Sequence, residues 1–156
     1  MADYTIRAAT ADDAATVTAH RRAMFEDMKA ADADQLDWMA QEYEPWAREA
    51  FASGKYRGWL ALDEAGNVAA GAGLALIDWP PNHLGRLAFR PVAMDVYTHP
   101  KYRRRGLARR LMEAMTAWCN ANDIPYLFLH ASDDGRPLYE AMGFRATTEM
   151  HLALDR

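Results

Sequence analysis

The sequence predicts an α/β domain in which helices cover both faces of a mixed sheet. Short apolar segments rich in β-branched and aromatic residues alternate with longer segments whose apolar residues recur at helical spacing. Two of the short segments flank Asp63–Asn67, a turn-forming run typical of an antiparallel hairpin. Two others flank an amphipathic helix, as in a βαβ unit. A chain of 156 residues can bury one sizeable core, so a single domain over residues 1–156 is expected.

The first third of the chain is predicted to form a strand and two helices. Tyr4–Ala9 is a short strand, and Thr10, followed three residues later by an aspartate, is the expected N-cap of a helix that ends near Met28. A second helix is predicted over about Gln35–Ala52. Pro45 lies inside this helix and is expected to break or kink it, which would give two pieces.

The middle of the chain is predicted to supply three strands. Tyr56–Leu62 and Val68–Ile77 are the two arms of the hairpin. Asp78–Arg90 contains two consecutive prolines, an asparagine and a glycine, so an exposed loop is expected there. Pro91–Thr98 follows as the third strand.

The last third is predicted to add two helices and further strands. A helix is expected after Gly106, because the apolar residues that follow form one stripe. Tyr126–Ala131 is predicted as a central strand, and Pro137 suits the first turn of a short helix that ends at Gly143. Apolar residues alternate with polar or small ones in Phe144–Leu154, which predicts one or two closing strands.

Composition limits the function classes. The net charge of -4 argues against a general nucleic-acid binder, and the basic residues concentrate locally between Lys101 and Arg110. The single Cys119 excludes an intrachain disulfide and a multi-cysteine metal site, and its place on an apolar helix stripe predicts a buried group rather than a nucleophile. No metal site is predicted. The N-terminus lacks the apolar run of a signal peptide or membrane helix, so a cytoplasmic location without a membrane partner is expected.

The segment from Val96 to Arg110 carries the strongest functional signal. A strand ends, a loop with three consecutive arginines follows, and Gly106 opens a helix. A helix N-terminus presents unpaired backbone N–H groups and the positive end of the helix dipole, which predicts an anion site, most simply for phosphate. The alternative is a solvated basic surface, and a nucleotide-binding P-loop fits poorly because no Lys-Ser or Lys-Thr follows the glycine.

Three sequence blocks together resemble the GCN5-related N-acetyltransferase (GNAT) superfamily over roughly Val92–Leu154. Arg103–Ala108 matches the family's acyl-CoA signature, a Gln or Arg followed by xxGxG/A. Ser132–Phe144 resembles the second motif, which ends in LYExxGF, and Met150–Leu154 resembles the closing strand. The first half of the chain matches only in element order. The resemblance implies a GNAT-like mixed, mostly antiparallel sheet and an acetyl-CoA-dependent acetyltransferase.

The resemblance also implies a cofactor site. The pantetheine arm would lie along the strand that ends at Val96–Thr98, with a backbone N–H near Val96 facing the thioester carbonyl. The pyrophosphate would rest on the backbone N–H groups of Arg104–Arg109, with added contacts from arginine side chains. Ser132 stands where many members have an asparagine that contacts the CoA arm. The residues implied for acetyl-CoA are Val96, Tyr97, Thr98, Arg103, Arg104, Arg105, Gly106, Leu107, Ala108, Arg109 and Ser132.

Tyr139 occupies the position that, in the family, protonates the departing CoA thiolate. Without the resemblance, a core tyrosine would be an equally good interpretation. In this role, Tyr139 would donate its phenolic proton as the thioester carbon–sulfur bond breaks.

The general base is left open. The positions where many members carry a glutamate appear here as Met94 and Leu127, which cannot accept a proton. Strand alternation would place Asp95 on the face opposite Met94 unless a bulge intervenes. The remaining candidates are His130, Glu26, Asp27 and a water chain.

The acceptor is expected to bind at the first two helices, where carboxylates beside aromatic rings would suit a cationic amine. These residues are Glu26, Asp27, Trp38, Glu42, Tyr43, Glu44 and Trp46, with Trp79 in the later loop. The alternative is an acidic solvated face with core tryptophans. The predicted function is direct acetyl transfer from acetyl-CoA to a primary amine of a small molecule or peptide, and the competing hypothesis is a non-catalytic acyl-CoA sensor. The resemblance also allows a homodimer.

Overall fold

The computed structural model describes residues 2–154, which form a five-stranded sheet with helices on both faces. The strands are β1 (Thr5–Ala8), β2 (Tyr56–Leu62), β3 (Val68–Asp78), β4 (Phe89–Thr98) and β5 (Phe128–Leu129). The α-helices are α1 (Ala14–Asp27), α2 (Ala33–Ser53), α3 (Leu107–Ala121) and α4 (Arg136–Ala141). Short 3₁₀ turns lie at Ala11–Asp13 and Pro100–Tyr102.

The sheet is mixed and mostly antiparallel, as the sequence predicts. Its strands follow the order β1-β2-β3-β4-β5, and the first three pairs are antiparallel. Only β4 and β5 are parallel, through the pairs Val92 with Phe128 and Ala93 with Leu129. The predicted hairpin is confirmed as β2 and β3. The prediction of a central strand over Tyr126–Ala131 is wrong, because β5 has two residues and lies at the sheet edge.

Helices α1 and α2 cover one face of the sheet, and α3 covers the other. Ala14 and Val17 of α1 pack on Tyr43 and Ala47 of α2, and the end of α2 packs on the sheet around Tyr56. The apolar stripe of α3 packs on the opposite face in the largest core cluster. Cys119 lies in that stripe and is buried, as predicted. Burial raises the pKa of its thiol, which disfavours the reactive thiolate.

Helix α2 is continuous, so the prediction that Pro45 divides it into two pieces is wrong. The helix begins after Asp32, whose side chain accepts a hydrogen bond from the Gln35 N–H in a capping box, and it ends at Gly54. A proline inside a helix costs about 3 kcal/mol relative to alanine. Buried Tyr43 and Ala47 lie on either side of Pro45, so packing on both sides of the proline offsets this cost.

The closing strands predicted over Phe144–Leu154 are absent from the described part of the chain, which shows no strand after β5. The alternating residues Met150, Leu152 and Leu154 are 94%, 77% and 71% exposed. The apolar residues in this segment alternate as they would in a strand, but the segment does not pair with the sheet. The neighbouring strand, β5, has only two residues and offers too short an edge for a further strand to pair with. The Thr10 capping box is present, but it caps the 3₁₀ turn that leads into α1.

No helix within residues 2–154 is long and apolar enough to cross a membrane.

Candidate active site

A cleft of about 840 Å³ opens where β4 and β5 separate. The two strands pair only as far as Ala93 and Leu129, so beyond that point the β4 edge facing β5 has no strand beside it in the described structure. The other edge of β4 stays paired with β3 as far as Thr98. The cleft therefore has an exposed backbone edge as one wall.

All the residues that the sequence assigns to the cofactor and to catalysis line this one cleft. They are Val96, Tyr97, Thr98, Arg103, Arg104, Arg105, Gly106, Leu107, Ala108, Arg109, Ser132 and Tyr139. They come from β4, from the N-terminal end of α3, and from the loop and helix after β5. The fold thus brings two motifs about 30 residues apart in sequence to opposite walls of a shared cavity.

A β-bulge interrupts β4 at the cleft. Gly73 of β3 pairs with Met94 and Gly71 pairs with Tyr97, so a single β3 residue faces both Asp95 and Val96. Asp95 has a φ of 56°, in the left-handed region. Because of the bulge, Met94 and Val96, which are two residues apart in β4, lie on different faces of the sheet.

Met94 packs on the cluster beneath α2, whereas Val96 packs on the α3 side. Strict alternation would have placed both on one face. Asp95, which alternation would place opposite Met94, instead shares the α1 and α2 face with it. The bulge, not the sequence pattern, therefore decides where the Asp95 carboxylate lies.

The Asp95 side chain is buried at the centre of a polar network. Arg21 Nη1 donates to its Oδ1 at 2.8 Å, Tyr56 Oη donates to Oδ2 at 2.8 Å, and Tyr43 Oη also donates to Oδ2. Burial, followed by the negative charge of Asp95, raises the pKa of both phenols, so they stay protonated and keep donating. Three donors occupy this carboxylate, which leaves it unsuited to act as a free general base.

Gly73 makes this network possible. The Tyr56 ring crosses directly over Gly73, and a Cβ at that position would lie 1.8 Å from the Tyr56 hydroxyl oxygen. A side chain there would push Tyr56 away from Asp95. The sequence places Gly73 in a strand, where glycine is otherwise unfavourable, and that is the local signal for a close approach.

The loop before α3 presents consecutive unpaired backbone donors. The N–H groups from Arg104 to Arg109 make no hydrogen bond to any residue in the 2–154 range, and the first partnered N–H is that of Arg110, which donates to Gly106 O at 3.1 Å. Arg104 and Gly106 have φ values of 64° and 74°. Turns of this kind, followed by a helix N-terminus, point N–H groups at an anion.

The three arginine side chains of this loop differ in their contacts. Arg103 Nη2 donates to Asp27 at 2.6 Å and its Nε donates to the Thr98 carbonyl. Arg105 donates to the Tyr4 hydroxyl at 2.7 Å. The Arg104 side chain makes no hydrogen bond to another described residue. Of the three, Arg104 is therefore the one free to meet a phosphate without breaking an existing contact.

Tyr139 and Ser132 line the cleft from α4 and from the turn that precedes it. Tyr139 is 9% exposed, its ring packs edge-on against Phe144, and burial raises the pKa of its phenol. Tyr139 lines the cleft, and its hydroxyl makes no hydrogen bond to another described side chain and is not fully buried. Ser132 Oγ accepts a hydrogen bond from the Gly135 N–H at 3.1 Å, which supports the turn into α4 and leaves the hydroxyl proton available.

Most of the residues that the sequence analysis expects to bind the acceptor do not line the cleft. Of the carboxylates and aromatic residues expected there, only Asp27 and Trp79 line the cleft. Trp38 and Trp46 are exposed elsewhere, and Tyr43 is bound to Asp95. The prediction missed the residues that do line this side. These include Arg21, Met24, Phe25, Met28, Arg90, Phe128 and Glu149.

Arg90 forms the outer part of the acceptor side. Its guanidinium lies 4.2 Å from the Phe128 ring centroid and 5.1 Å from that of Trp79, and its Nη2 donates to Glu149 at 2.7 Å. The hydrogen bonds from Arg90 lower the pKa of Glu149. No local sequence motif marks either residue, because they meet only through the tertiary fold.

The candidates for the general base differ in whether they line the cleft and in whether their side chains are already paired. Glu26 does not line the cleft, and Asp27 is held by Arg103. Asp95 is occupied by three donors. His130 lines the cleft just beyond β5 and makes no side-chain hydrogen bond to the described residues. Among those residues, no group of three or more His, Cys, Asp or Glu side chains could hold a metal ion.

The sequence model of the acetyltransferase (GNAT) family matches residues 21–144. The chain is similar to a GCN5-related N-acetyltransferase from Ralstonia eutropha, with 35% identity over 97% of this chain and 99% of that one, at a TM-score of 0.88. It is also similar to a predicted acetyltransferase from Clostridium acetobutylicum, whose crystal structure contains acetyl-CoA, with 24% identity, coverage of 98% and 96%, and a TM-score of 0.86.

A ribosomal-protein-alanine N-acetyltransferase from Brucella melitensis has the same fold, with 16% identity, coverage of 99% and 100%, and a TM-score of 0.71. No curated protein sequence matches the chain at a significant level.

Proposed function

Because the chain belongs to the acetyltransferase (GNAT) family, we propose that it transfers an acetyl group from acetyl-CoA directly to a primary amine. The observation that carries this proposal is the single cleft in which an unpaired β4 edge, a run of unpaired N–H groups and the Tyr139 hydroxyl converge. Each of the three suits a different part of the donor: the pantetheine arm, the pyrophosphate and the sulfur.

On the donor side, the acetyl-CoA pyrophosphate rests on the N–H groups of Arg104–Arg109, and Arg104 adds a mobile positive charge. The pantetheine amides pair with the free edge of β4, as an added strand would. Val96 is one of the two bulge residues, and a bulge leaves a backbone group out of the ladder. Its N–H is the proposed donor to the thioester oxygen, on which negative charge develops during attack.

The reaction forms one bond and breaks another. The amine nitrogen attacks the thioester carbon, and the resulting tetrahedral intermediate collapses with cleavage of the carbon–sulfur bond. The CoA thiolate takes the phenolic proton of Tyr139. Burial raises the pKa of the Tyr139 phenol above its ordinary value of about 10, so the phenol is protonated at neutral pH and can donate to a nascent thiolate, whose thiol has an ordinary pKa of about 8.5.

The amine gives up one proton in return, and we assign its acceptance to His130, directly or through water. This rests on His130 lining the cleft without a side-chain partner. Replacing His130 by Gln should lower kcat and leave acetyl-CoA binding unchanged. An unchanged kcat would remove His130 from the reaction.

No acyl-enzyme intermediate is needed. Cys119 lies in the core beneath α3 rather than in the cleft, and burial raises the pKa of its thiol.

The proposal is tested by measuring free CoA thiol release with a panel of amines and by identifying the acetylated product by mass spectrometry. Transfer predicts thiol release that depends on the amine, with the acetyl group on its nitrogen. Binding of acetyl-CoA without thiol release for every amine would instead indicate a non-catalytic sensor, and acetylation of a hydroxyl would contradict amine specificity.

A further inference from the structure

The acceptor side of the cleft contains an arginine whose orientation is fixed but whose donors are not all used. The Arg21 guanidinium lies 4.9 Å from the Phe25 ring centroid and 4.7 Å from that of Tyr43. Its Nη1 donates to Asp95 at 2.8 Å. Its Nε is buried without a hydrogen-bond partner, whereas its Nη2, which also makes no hydrogen bond to residues 2–154, is not buried. Two rings and a buried carboxylate thus hold this cation, and one of its nitrogens remains accessible.

Arg21 also contacts the residue that precedes Val96, the proposed oxyanion donor. It contacts Asp95, which directly precedes Val96, and consecutive Cα atoms are about 3.8 Å apart. Arg90 is six residues from Val96 along the same strand, which corresponds to about 20 Å. Arg21 therefore lies closer than Arg90 to the proposed oxyanion donor at Val96, so a small acceptor is placed at Arg21.

Three of the four carboxylates that line the cleft are already engaged, and the fourth, Asp134, lies beside Ser132 in the turn before α4. Asp27 is paired with Arg103, and Glu149 is paired with Arg90. Asp95 is buried and receives three hydrogen bonds. A cationic group on the acceptor would have to compete with an arginine for either of the first two. An anionic group would find accessible N–H donors on Arg21 without displacing any existing contact.

We propose that Arg21 binds the carboxylate of the acceptor, and that the acceptor is a small amino acid in which one or two carbons separate the carboxylate from the amine. This inference rests on the proposed function, since it names the substrate class of the same site. The ion pair with Asp95 fixes the Arg21 guanidinium before the substrate binds, so binding costs little side-chain conformational entropy. Met24, Phe25 and Met28 form the adjoining apolar wall, which suits an apolar side chain on the acceptor.

The first experiment compares acceptors that differ only in charge. An α- or β-amino acid and its carboxamide are assayed with the unaltered enzyme at saturating acetyl-CoA, and each kcat/KM is divided by the neutral fraction of that amine at the assay pH. Loss of a charge-assisted hydrogen bond should lower kcat/KM for the carboxamide by about 10- to 100-fold. Equal or better transfer to the carboxamides across the panel would overturn the assignment while leaving amine acetylation intact.

The second experiment alters the arginine. Arg21→Lys keeps a positive charge beside Asp95 but removes the planar fork of donors. The preference for carboxylate over carboxamide should fall by about tenfold or more, mainly through KM, with acetyl-CoA affinity unchanged. Arg22→Lys is the matched control, because Arg22 is the next residue on α1 and pairs with Asp37 and Glu26 at the surface. A preference that survives Arg21→Lys would exclude Arg21 as the anchor.

Direct binding separates failure of this inference from failure of the proposed function. Calorimetric titration of the amino acid into the CoA-bound protein should show binding that Arg21→Lys weakens and Arg22→Lys does not. Such binding without any thiol release would retain the Arg21 site and contradict the transferase. Thiol release with amines that lack a carboxylate, together with no calorimetric binding of amino acids, would retain the transferase and overturn the Arg21 site.

Discussion

The donor half and the acceptor half of the cleft are built from different parts of the polypeptide. The donor half consists largely of backbone groups from one continuous stretch, from the β4 edge at Val96 to the N-terminal turn of α3. The acceptor half consists of side chains from α1, β4, β5 and the C-terminal segment, which are far apart in sequence. A backbone site depends on local conformation and is marked by a motif, whereas a side-chain site depends on tertiary contacts and carries no motif.

Tyr139 is the exception on the donor half, since its function depends on a side chain, and it should show the largest effect. Tyr139→Phe removes the proposed proton donor and is expected to lower kcat by about 10²- to 10³-fold, with little change in the Kd for acetyl-CoA. Steady-state kinetics and calorimetry measure the two quantities. Tyr126→Phe is the control, because Tyr126 does not line the cleft and its hydroxyl makes no hydrogen bond to a described residue. An unchanged kcat in Tyr139→Phe would contradict the role of Tyr139 as proton donor, and the proposed donor half would then act through backbone groups alone.

Asp95 joins the two halves, because its backbone forms the bulge and its side chain holds Arg21. Asn tolerates a positive φ, so Asp95→Asn tests the charge without straining the bulge. The unpaired, partly exposed Arg21 should lower the free energy of unfolding by about 2–3 kcal/mol, measured by denaturant titration. The KM for the acceptor should rise while the Kd for acetyl-CoA stays near its original value.

Asp123→Asn provides the matched control for the Asp95 variant. Asp123 also has a φ of 56° but is exposed at the end of α3. Its replacement should change neither stability nor KM. Equal losses in the affinities for donor and acceptor in Asp95→Asn would show that the two halves are not separable at this residue.

Gly106 tests whether the donor half depends on backbone conformation. Its φ of 74° strains any other residue, and a Cβ there would meet no atom within 4 Å. Gly106→Ala should therefore cost about 1–2 kcal/mol of stability and weaken acetyl-CoA binding about tenfold by turning N–H groups away from the phosphates.

Gly66, with a φ of 84° in the β2–β3 turn and similar open space, is the control for Gly106. Gly66→Ala should lose comparable stability with unchanged acetyl-CoA affinity. If both variants bind acetyl-CoA as the original protein does, the loop N–H groups do not hold the pyrophosphate.

Arg104 should give the smallest of these effects, since its side chain only supplements the backbone donors. Arg104→Ala is expected to raise the Kd for acetyl-CoA several-fold and to reduce its dependence on salt concentration. Repeating the titration with the analogue that lacks the 3′-phosphate shows which phosphate Arg104 meets. Arg145→Ala, at another exposed arginine, should leave the Kd unchanged. A Kd for Arg104→Ala that matches this control would contradict the phosphate contact.

The sequence predicts the structural features that depend on local contacts, and it fails for features that depend on contacts between distant residues. The hairpin, the α3 stripe and the N-terminal end of α3 depend on turn residues and periodicity within about 15 residues, and they lie where the sequence predicts. Pro45 shows the opposite case, because the packing of Tyr43 and Ala47 overrides a local preference. The residues after Phe144 alternate as a strand does, yet β5 is too short an edge to pair with them.

The sequence by itself determines the fold class and predicts the proposed donor half of the site, because a turn glycine, a helix start and a β-branched strand are local features. The tertiary structure alone decides the acceptor half. The bulge at Asp95 depends on β3 placing one residue opposite two, and Arg21 reaches Asp95 only because α1 packs beside β4. Both require contacts between residues more than 20 positions apart, which no pattern along the chain encodes.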